Sequence, residues 1–333
     1  FWTLALVLWG VAFVGMWRAG LRRAWLYLGV PLVVLALAWT ARGRPIKPDE
    51  ALLFETESAY NYIQVVQRGD DILLKLNEGQ GVHSVYNPRA PLTDAIFDYF
   101  LIAPFFNPPP YRADRVQSLC LIGLAGGTVA DLYTRVYGPI WIDGAELDPR
   151  ILEVGRAYFA LRRPNVHAYA ADGRWFLARS PRRYDVVAVD AYRPPYIPFH
   201  LTTREFFQIV REHLTEDGVL AVNVARAGED DRLVRALAAT AATVFPSVFV
   251  VPEPIPEGEV LGNTLLVATV QPAGAAYLAE NTRHLTHPLL QAVAARTVPL
   301  AQPAPTDGPV LTDDRAPVEQ IVHGILLRVL LGE

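Results

Sequence analysis

The stretch SLCLIGLAGGTVADLY (Ser118–Tyr133) decides the fold. Its first half is an apolar run with no polar alternation, the pattern of a strand buried on both faces. The run ends at Gly123, and Ala125, Gly126 and Gly127 fill the turn before a helical pattern begins. Small residues there let the backbone approach a ligand, and the next helix starts with free N–H groups. The spacing is close to a dinucleotide fingerprint without matching it, and alone it is a weak signal.

The same rhythm continues downstream. The apolar runs IWIDGAEL, NVHAYA, YDVVAVD, GVLAVNV, VFVVP and NTLLVAT alternate with the helical patterns PRILEVGRAYFALR, GRWFLARS, TTREFFQIVREHL and DDRLVRALAATAATVF. That alternation predicts a doubly wound α/β domain with a parallel sheet. Upstream, YNYIQVVQR, DILLKLN and GVHSVY, with GDD between the first two, predict a small antiparallel sheet. PLTDAIFDYFLIAPFF predicts a helix capped near Thr93 and ended by NPPPYRAD. The expected domains are an apolar segment over 1–41, a polar linker over 42–50, an antiparallel β-domain over 51–90 and a Rossmann-like domain over 91–333 that closes in an apolar helix.

The chain has 333 residues, 52% of them hydrophobic, and a formal net charge of −4. That balance gives no sign of a nucleic-acid partner. The single cysteine, Cys120, lies inside an apolar run, which leaves no disulfide framework or cysteine-based metal site and reads as core packing. No other group has metal-ligand spacing; the Asp313/Asp314 pair reads as a turn and cap before APVEQIVHGILL. The apolar excess comes from uncharged segments at Phe1–Trp17 and Ala24–Ala41. Each is near the lower limit of roughly 17 residues for a bilayer-spanning helix. Trp2, Trp9, Trp17, Trp25, Tyr27 and Trp39 fall where interfacial aromatics would help. These features predict two transmembrane helices. Arg18, Arg22 and Arg23 on one side and Arg42, Arg44 and Lys47 on the other leave the orientation undecided. A chain that starts on Phe1 is expected to be a piece of a longer one.

Four successive strands end in small or acidic residues, at the edge where open α/β sheets bind ligands. After the first-turn glycines come Glu146 in DGAELD, Asp172 in AADG and Asp190 in YDVVAVD. Glu146 is placed to accept from both hydroxyls of a ribose. Asp172 could accept from an exocyclic amine, cap the helix GRWFLARS, or do both. Asp190 leads into AYRPPYIPFHLTTREFF, where Tyr192, Tyr196, Phe199 and His200 would wall a pocket. His83 reads first as a satisfied polar residue and second as a pocket residue.

Together YNYIQVVQ, LCLIGLAGGTVA, IDGAELDPRILEVGRAYF, HAYAADGRWFL, YDVVAVDAYRPPYIPFHLTTREFF and LTDDRAPVE resemble the spermidine synthase (polyamine aminopropyltransferase) family, in particular its membrane-fused bacterial members. The resemblance runs from Phe54 to Glu319. It implies a small N-terminal β-domain on a seven-stranded methyltransferase-type Rossmann sheet. The implied donor is decarboxylated S-adenosylmethionine, used as a co-substrate without metal, and the implied acceptor is a small amine. On the donor side it implies Asn61, at the place of a family glutamine, with Gly123, Ala125, Gly126, Glu146, Leu147, Asp172 and Gly173. On the acceptor side it implies Tyr60, Glu78, His83, Tyr192, Arg193 and His200, with Asp190 taking the proton. A homodimer and an inner-membrane protein with a cytoplasmic catalytic domain are the corresponding expectations. Three departures weigh on the substrate. Gly126 stands where the family has an aspartate, Leu76-Asn77-Glu78 replaces L-D-G, and the catalytic D-x-x-D becomes Asp190 to Arg193. Losing carboxylates and gaining an arginine makes a diamine acceptor doubtful. It also keeps ordinary S-adenosylmethionine, with methyl transfer, as an alternative beside a non-catalytic nucleoside-binding module.

Overall fold

The computed structural model describes residues 2–20, 24–41, 46–47, 49–77, 81–159, 161–192 and 196–331. Glu78 and Arg193, two of the expected acceptor-side residues, lie outside the described residues. The chain forms two compact units, residues 1–55 and 56–333.

The first unit corrects the expectation of spanning helices. Helix α1 covers Trp2–Arg18, but the second apolar segment is split into a 3-10 turn at Ala24–Gly29 and a 12-residue helix α2, Val30–Ala41. Gly29 and Pro31 sit at that junction. Twelve residues rise about 18 Å, well short of the roughly 30 Å hydrocarbon core. Among the described residues no helix is long and apolar enough to cross a membrane. Strand β1 (Leu52–Glu57) carries the chain into the second unit.

There β2 (Tyr62–Arg68), β3 (Asp71–Leu76) and β4 (Val82–Tyr86) pair as an antiparallel meander, with an irregularity at Leu74/Lys75 opposite β4. The helix expected from Thr93 is different in form. Helix α3 covers only Ile96–Tyr99 and passes into a 3-10 run, Phe100–Phe106, with Pro104 inside it. Proline cannot donate the backbone bond that would continue the helix. Thr93 does not cap it. Instead the buried Asp98 carboxylate accepts from the Thr93 backbone and hydroxyl.

The α/β layer then follows in chain order: β5 (Ser118–Ile122), α4 (Thr128–Tyr137), β6 (Trp141–Glu146), α5 (Pro149–Tyr158), β7 (Val166–Ala170), α6 (Gly173–Arg179), β8 (Tyr184–Val189), α7 (Arg204–Glu212), β9 (Leu214–Ala227), α8 (Arg232–Ala242), β10 (Ser247–Pro252) and β11 (Leu261–Thr269). Helices α9 (Ala276–Thr282) and α10 (Pro288–Thr297), a two-residue strand β12 (Gln302–Pro303) and α11 (Val318–Leu331) complete it. The sheet order is β12-β10-β11-β9-β8-β5-β6-β7. It therefore has eight strands and not seven, because β12 pairs with the edge of β10. It is also mixed: β7, β6, β5, β8 and β9 are parallel, while β11 pairs antiparallel with both β9 and β10.

Alternate residues of the central strands feed opposite faces. Leu119 and Leu121 of β5 enter one core, whereas Cys120 and Ile122 enter the other. Val186 and Ala188 of β8 divide from Val187 and Val189 in the same way. Both faces are thus covered, as the unbroken apolar runs require. Cys120 is fully buried core. From β5 the chain moves outward through β6 and β7, then returns to the other side of β5 for β8 and β9. That reversal places the topological switch point at the carboxyl ends of β5 and β8, the edge where open α/β sheets bind ligands.

Candidate active site

The turn after β5 is wound by three residues with positive φ: Gly123 at +88°, Ala125 at +47° and Gly127 at +93°. Gly123 has no alternative. A Cβ there would lie 2.3 Å from the Asp190 carbonyl oxygen and 2.8 Å from Ala191 Cα. The main chains leaving β5 and β8 therefore touch at the switch point.

The N–H groups of the turn itself are all engaged, whereas α4 begins at Thr128 with no side-chain cap. Gly123 N and Leu124 N donate to Ala145 O, Ala125 N to Glu146 Oε2 at 2.9 Å, Gly126 N to Ser84 Oγ at 2.8 Å, and Gly127 N to Leu124 O. The turn is thereby held by contacts to β4 and to the end of β6. Strand β4 seals it from above. Thr128 Oγ1 both accepts from Val85 N and donates to Val85 O, and the buried Ser84 occupies the volume a side chain at Gly126 would need, 2.9 Å from its Cβ position. The Gly126 departure is thus paired with Ser84, a residue the sequence reading had not singled out.

Glu146 ends β6 half-buried, with Oε2 accepting from Ala125 N and Oε1 from Asp148 N at 3.0 Å. Burial raises its pKa first, and the backbone N–H bonds oppose that shift. Each oxygen keeps lone-pair capacity for a further donor. Asp148 is fully buried and caps α5 by accepting from Arg150 N. It also accepts from Ser58 Oγ and from Asn61 Nδ2 at 3.0 Å, and Asn61 Oδ1 accepts from Asn77 Nδ2. Asn61 is therefore brought next to the Glu146 turn but holds Asp148 with one end of its amide and Asn77 with the other. Leu147 and Tyr60 are exposed nearby in sequence.

Asp172 does cap α6, accepting from Trp175 N at 2.9 Å. Its other oxygen accepts from His200 Nε2 at 2.8 Å, and that bond, with α6 backbone N–H groups, holds its pKa below the usual carboxylate value against burial. Gly173 follows because a Cβ there would meet Ile122 Cγ2 at 2.2 Å, so α6 abuts the end of β5. Arg174 fixes the other side of the same turn, donating to His200 O at 3.1 Å and pairing with Asp313. The LTDDRAPVE segment thus serves as a clasp: Asp313 Oδ1 also accepts from Thr203, the N-cap of α7.

Asp190 is half-buried, and Asn223 Nδ2 donates to its Oδ1 at 2.9 Å. Burial pushes its pKa up to about 6, the Asn223 bond acting in the opposite direction. Tyr192 anchors the following loop to β9, donating from its hydroxyl to Asn223 O and accepting from Ala225 N. Further along, Tyr196 bonds to His323 of α11. His83 sits on β4 with Nε2 buried and without a partner among the described residues, and burial lowers its pKa to about 4. Among the described residues no cluster of His, Cys, Asp or Glu could hold a metal ion. Asn223, Ser84, Asp148 and His323 escaped the sequence reading. Asn223 had one visible signal, a polar residue inside the apolar run GVLAVNV.

This geometry can be set beside known proteins. Residues 136–272 match the family model described as the spermine/spermidine synthase domain. A probable polyamine aminopropyl transferase of Bifidobacterium longum is 32% identical over 292 residues, covering 82% of this chain and 63% of the relative. These matches support a spermidine synthase-like family. A polyamine aminopropyltransferase of Vibrio vulnificus is 33% identical over 122 residues, 35% of this chain and 39% of that protein. The chain thus spans less than two thirds of the length of these curated relatives. Among solved structures, a probable spermidine synthase from Corynebacterium glutamicum superposes with TM-score 0.58 at 20% identity, covering 76% of this chain and 96% of the other. A spermidine synthase in complex with the transition-state analogue AdoDATO gives 0.55 at 17% identity, covering 78% and 94%. At these identities the two structures speak for the fold, a methyltransferase-like Rossmann sheet.

Proposed function

We propose that the chain transfers an alkyl group from an adenosyl sulfonium donor to a small amine, in the manner of an aminopropyltransferase, with Asp190 as the proton acceptor. The observation that carries this reading is the meeting of Gly123, Glu146, Asp172 and Asp190 at the carboxyl ends of neighbouring parallel strands, around a first turn whose amides are already satisfied. The analogue bound by the spermidine synthase named above is consistent with an adenosyl ligand of this kind. Glu146 would accept from the ribose hydroxyls and Asp172 from the adenine amine.

The chemistry is an in-line displacement. The amine lone pair forms the new C–N bond, the C–S⁺ bond breaks with its electron pair going to sulfur, and the ammonium proton passes to Asp190. Holding nucleophile and carbon in line and dry supplies much of the acceleration, and a half-buried carboxylate whose pKa is pushed up to about 6 suits the proton transfer. Because Asp190 works only when ionised, kcat/KM is expected to rise with pH through about 6. A profile flat from about pH 5 to 8 would remove Asp190 from this role.

Replacing Glu146 with Gln tests the donor site without turnover. Both carboxylate oxygens accept from main-chain N–H groups, so a Gln amide must set N–H against N–H on one side. The affinity for 5′-methylthioadenosine, measured by calorimetry, is expected to fall by about tenfold to a hundredfold. Free adenine, which lacks the ribose, should bind the two proteins alike; an equal loss for both ligands would contradict the ribose assignment.

A second reading, methyl transfer from intact S-adenosylmethionine on the same scaffold, is favoured by one observation. Ser84 fills the place of a first-turn side chain at Gly126, so no carboxylate stands there to repel a donor carboxylate. Incubation with each donor separates the two: methylthioadenosine marks aminopropyl transfer and S-adenosylhomocysteine marks methyl transfer.

A further inference from the structure

Asn223 is a buried polar residue of the sheet that the preceding roles leave unexplained. It is 6% exposed on β9, in a run whose neighbours Val222 and Val224 are fully buried. Val189 and Val222 are partners in the parallel register of β8 and β9, so Asp190 and Asn223 leave that pairing side by side. Nδ2 donates to Asp190 Oδ1 at 2.9 Å, while Asn223 Oδ1 is buried with no partner among the described residues. A buried amide oxygen without a donor is uncommon and needs a reason. The backbone on either side is fixed, since Tyr192 bonds both Asn223 O and Ala225 N. Among the described residues none donates to Asp190 Oδ2.

We infer that Asn223 is a positioning residue for Asp190 and that its own Oδ1 forms, with Asp190 Oδ2, a two-acceptor seat for a nucleophile that donates two N–H bonds. The inference rests on the proposed transfer and makes Asn223 the residue that, with Asp190, reads the two N–H bonds of its acceptor amine. One N–H points to Asn223 Oδ1 and is kept; the other lies on Asp190 Oδ2 and is the proton lost as the C–N bond forms. The amide can serve both ends only in the orientation in which Nδ2 faces an ionised Asp190. Its flipped form would set oxygen against carboxylate. The hydrogen bond to Oδ1 also favours the charged carboxylate over the acid. Around Asp190, β5 contributes the Gly123 backbone, β9 contributes Asn223, and the loop contributes the Tyr192 hydroxyl, the titratable neighbour.

The test titrates Asp190 directly by carboxyl carbon NMR of the full chain, with the Asp190→Asn protein to assign the resonance. In Asn223→Leu, which keeps volume but neither polar end, the midpoint is expected to rise by about one pH unit. In Asn223→Asp, which keeps the shape, a second carboxylate should raise it further. Circular dichroism and melting establish that each variant is folded, and if one is not, the other carries the measurement. An unchanged midpoint in a folded variant overturns the positioning role, whatever the protein catalyses. For the acceptor seat, 1,3-diaminopropane and its N,N′-dimethyl derivative are compared with decarboxylated S-adenosylmethionine as donor. Wild type should favour the primary diamine at least tenfold in kcat/KM, and Asn223→Leu should lose most of that preference; equal rates for both amines in wild type overturn the seat. A shifted midpoint with no turnover on any amine would retain the positioning role and refute the transferase reading.

Discussion

Asp190→Asn is expected to lower kcat/KM of the proposed transfer by about 10²–10⁴-fold, the usual contribution of a positioned general base. Binding of 5′-methylthioadenosine should persist, because Glu146 and Asp172 make their contacts independently of Asp190. The same variant should be more stable than wild type at alkaline pH. Burial raises Asp190 to about 6 in the folded chain from a reference of 3.8. The folded state therefore keeps a proton that the unfolded state has already released, and stability falls as pH rises between those two values. Above about 6 the ionised carboxylate carries the whole penalty, of order 1–3 kcal/mol. Asparagine removes it, so the melting temperature of Asp190→Asn should exceed wild type at pH 8 and converge on it near pH 4. Loss of activity together with gain of stability is the signature of a group kept for chemistry. Full activity would sink the assignment, and lost activity with lost stability would assign Asp190 to structure.

The parts of this site legible in the sequence are those set by local pattern. Unbroken apolar runs mark strands buried on both faces, and the residue ending each run lands at the carboxyl edge whatever the tertiary detail. Glu146, Asp172 and Asp190 were readable for that reason. What could not be read depends on pairing across long separations. Ser84 meets Gly126 only because β4 lies on the first turn, 42 positions away in sequence. Asn223 reaches Asp190 through a register between strands 33 positions apart. The first turn illustrates the same gap, since local sequence shows a run of small residues but not that Glu146 and Ser84 accept from Ala125 N and Gly126 N. The N-terminal segment failed for a different reason. Hydropathy counted its apolar residues correctly but did not register that the stretch from Ala24 turns as a 3-10 segment before α2 begins, leaving α2 only 12 residues long.

Gly123→Ala should destabilise the chain more than its backbone angle alone would require, and a second glycine supplies the comparison. Gly123 has φ of +88° and Gly138, at the end of α4, has φ of +83°. A Cβ at Gly138 meets nothing within 4 Å, whereas one at Gly123 lies 2.3 Å from Asp190 O and 2.6 Å from Asp190 C. Alanine at Gly138 is expected to cost about 1–3 kcal/mol, the strain of that conformation. Alanine at Gly123 adds a clash with main chain that cannot rotate away, and should cost about 2 kcal/mol more by urea unfolding. The functional consequence separates them further. The atoms that must yield belong to Asp190 and Ala191, so Gly123→Ala should displace the carboxylate and depress turnover even where the protein remains folded, while Gly138→Ala leaves turnover intact. Equal losses of stability in the two variants would mean that β5 and β8 do not converge as closely as drawn. The proposed chemistry would then lose the contact that holds its proton acceptor against the first turn.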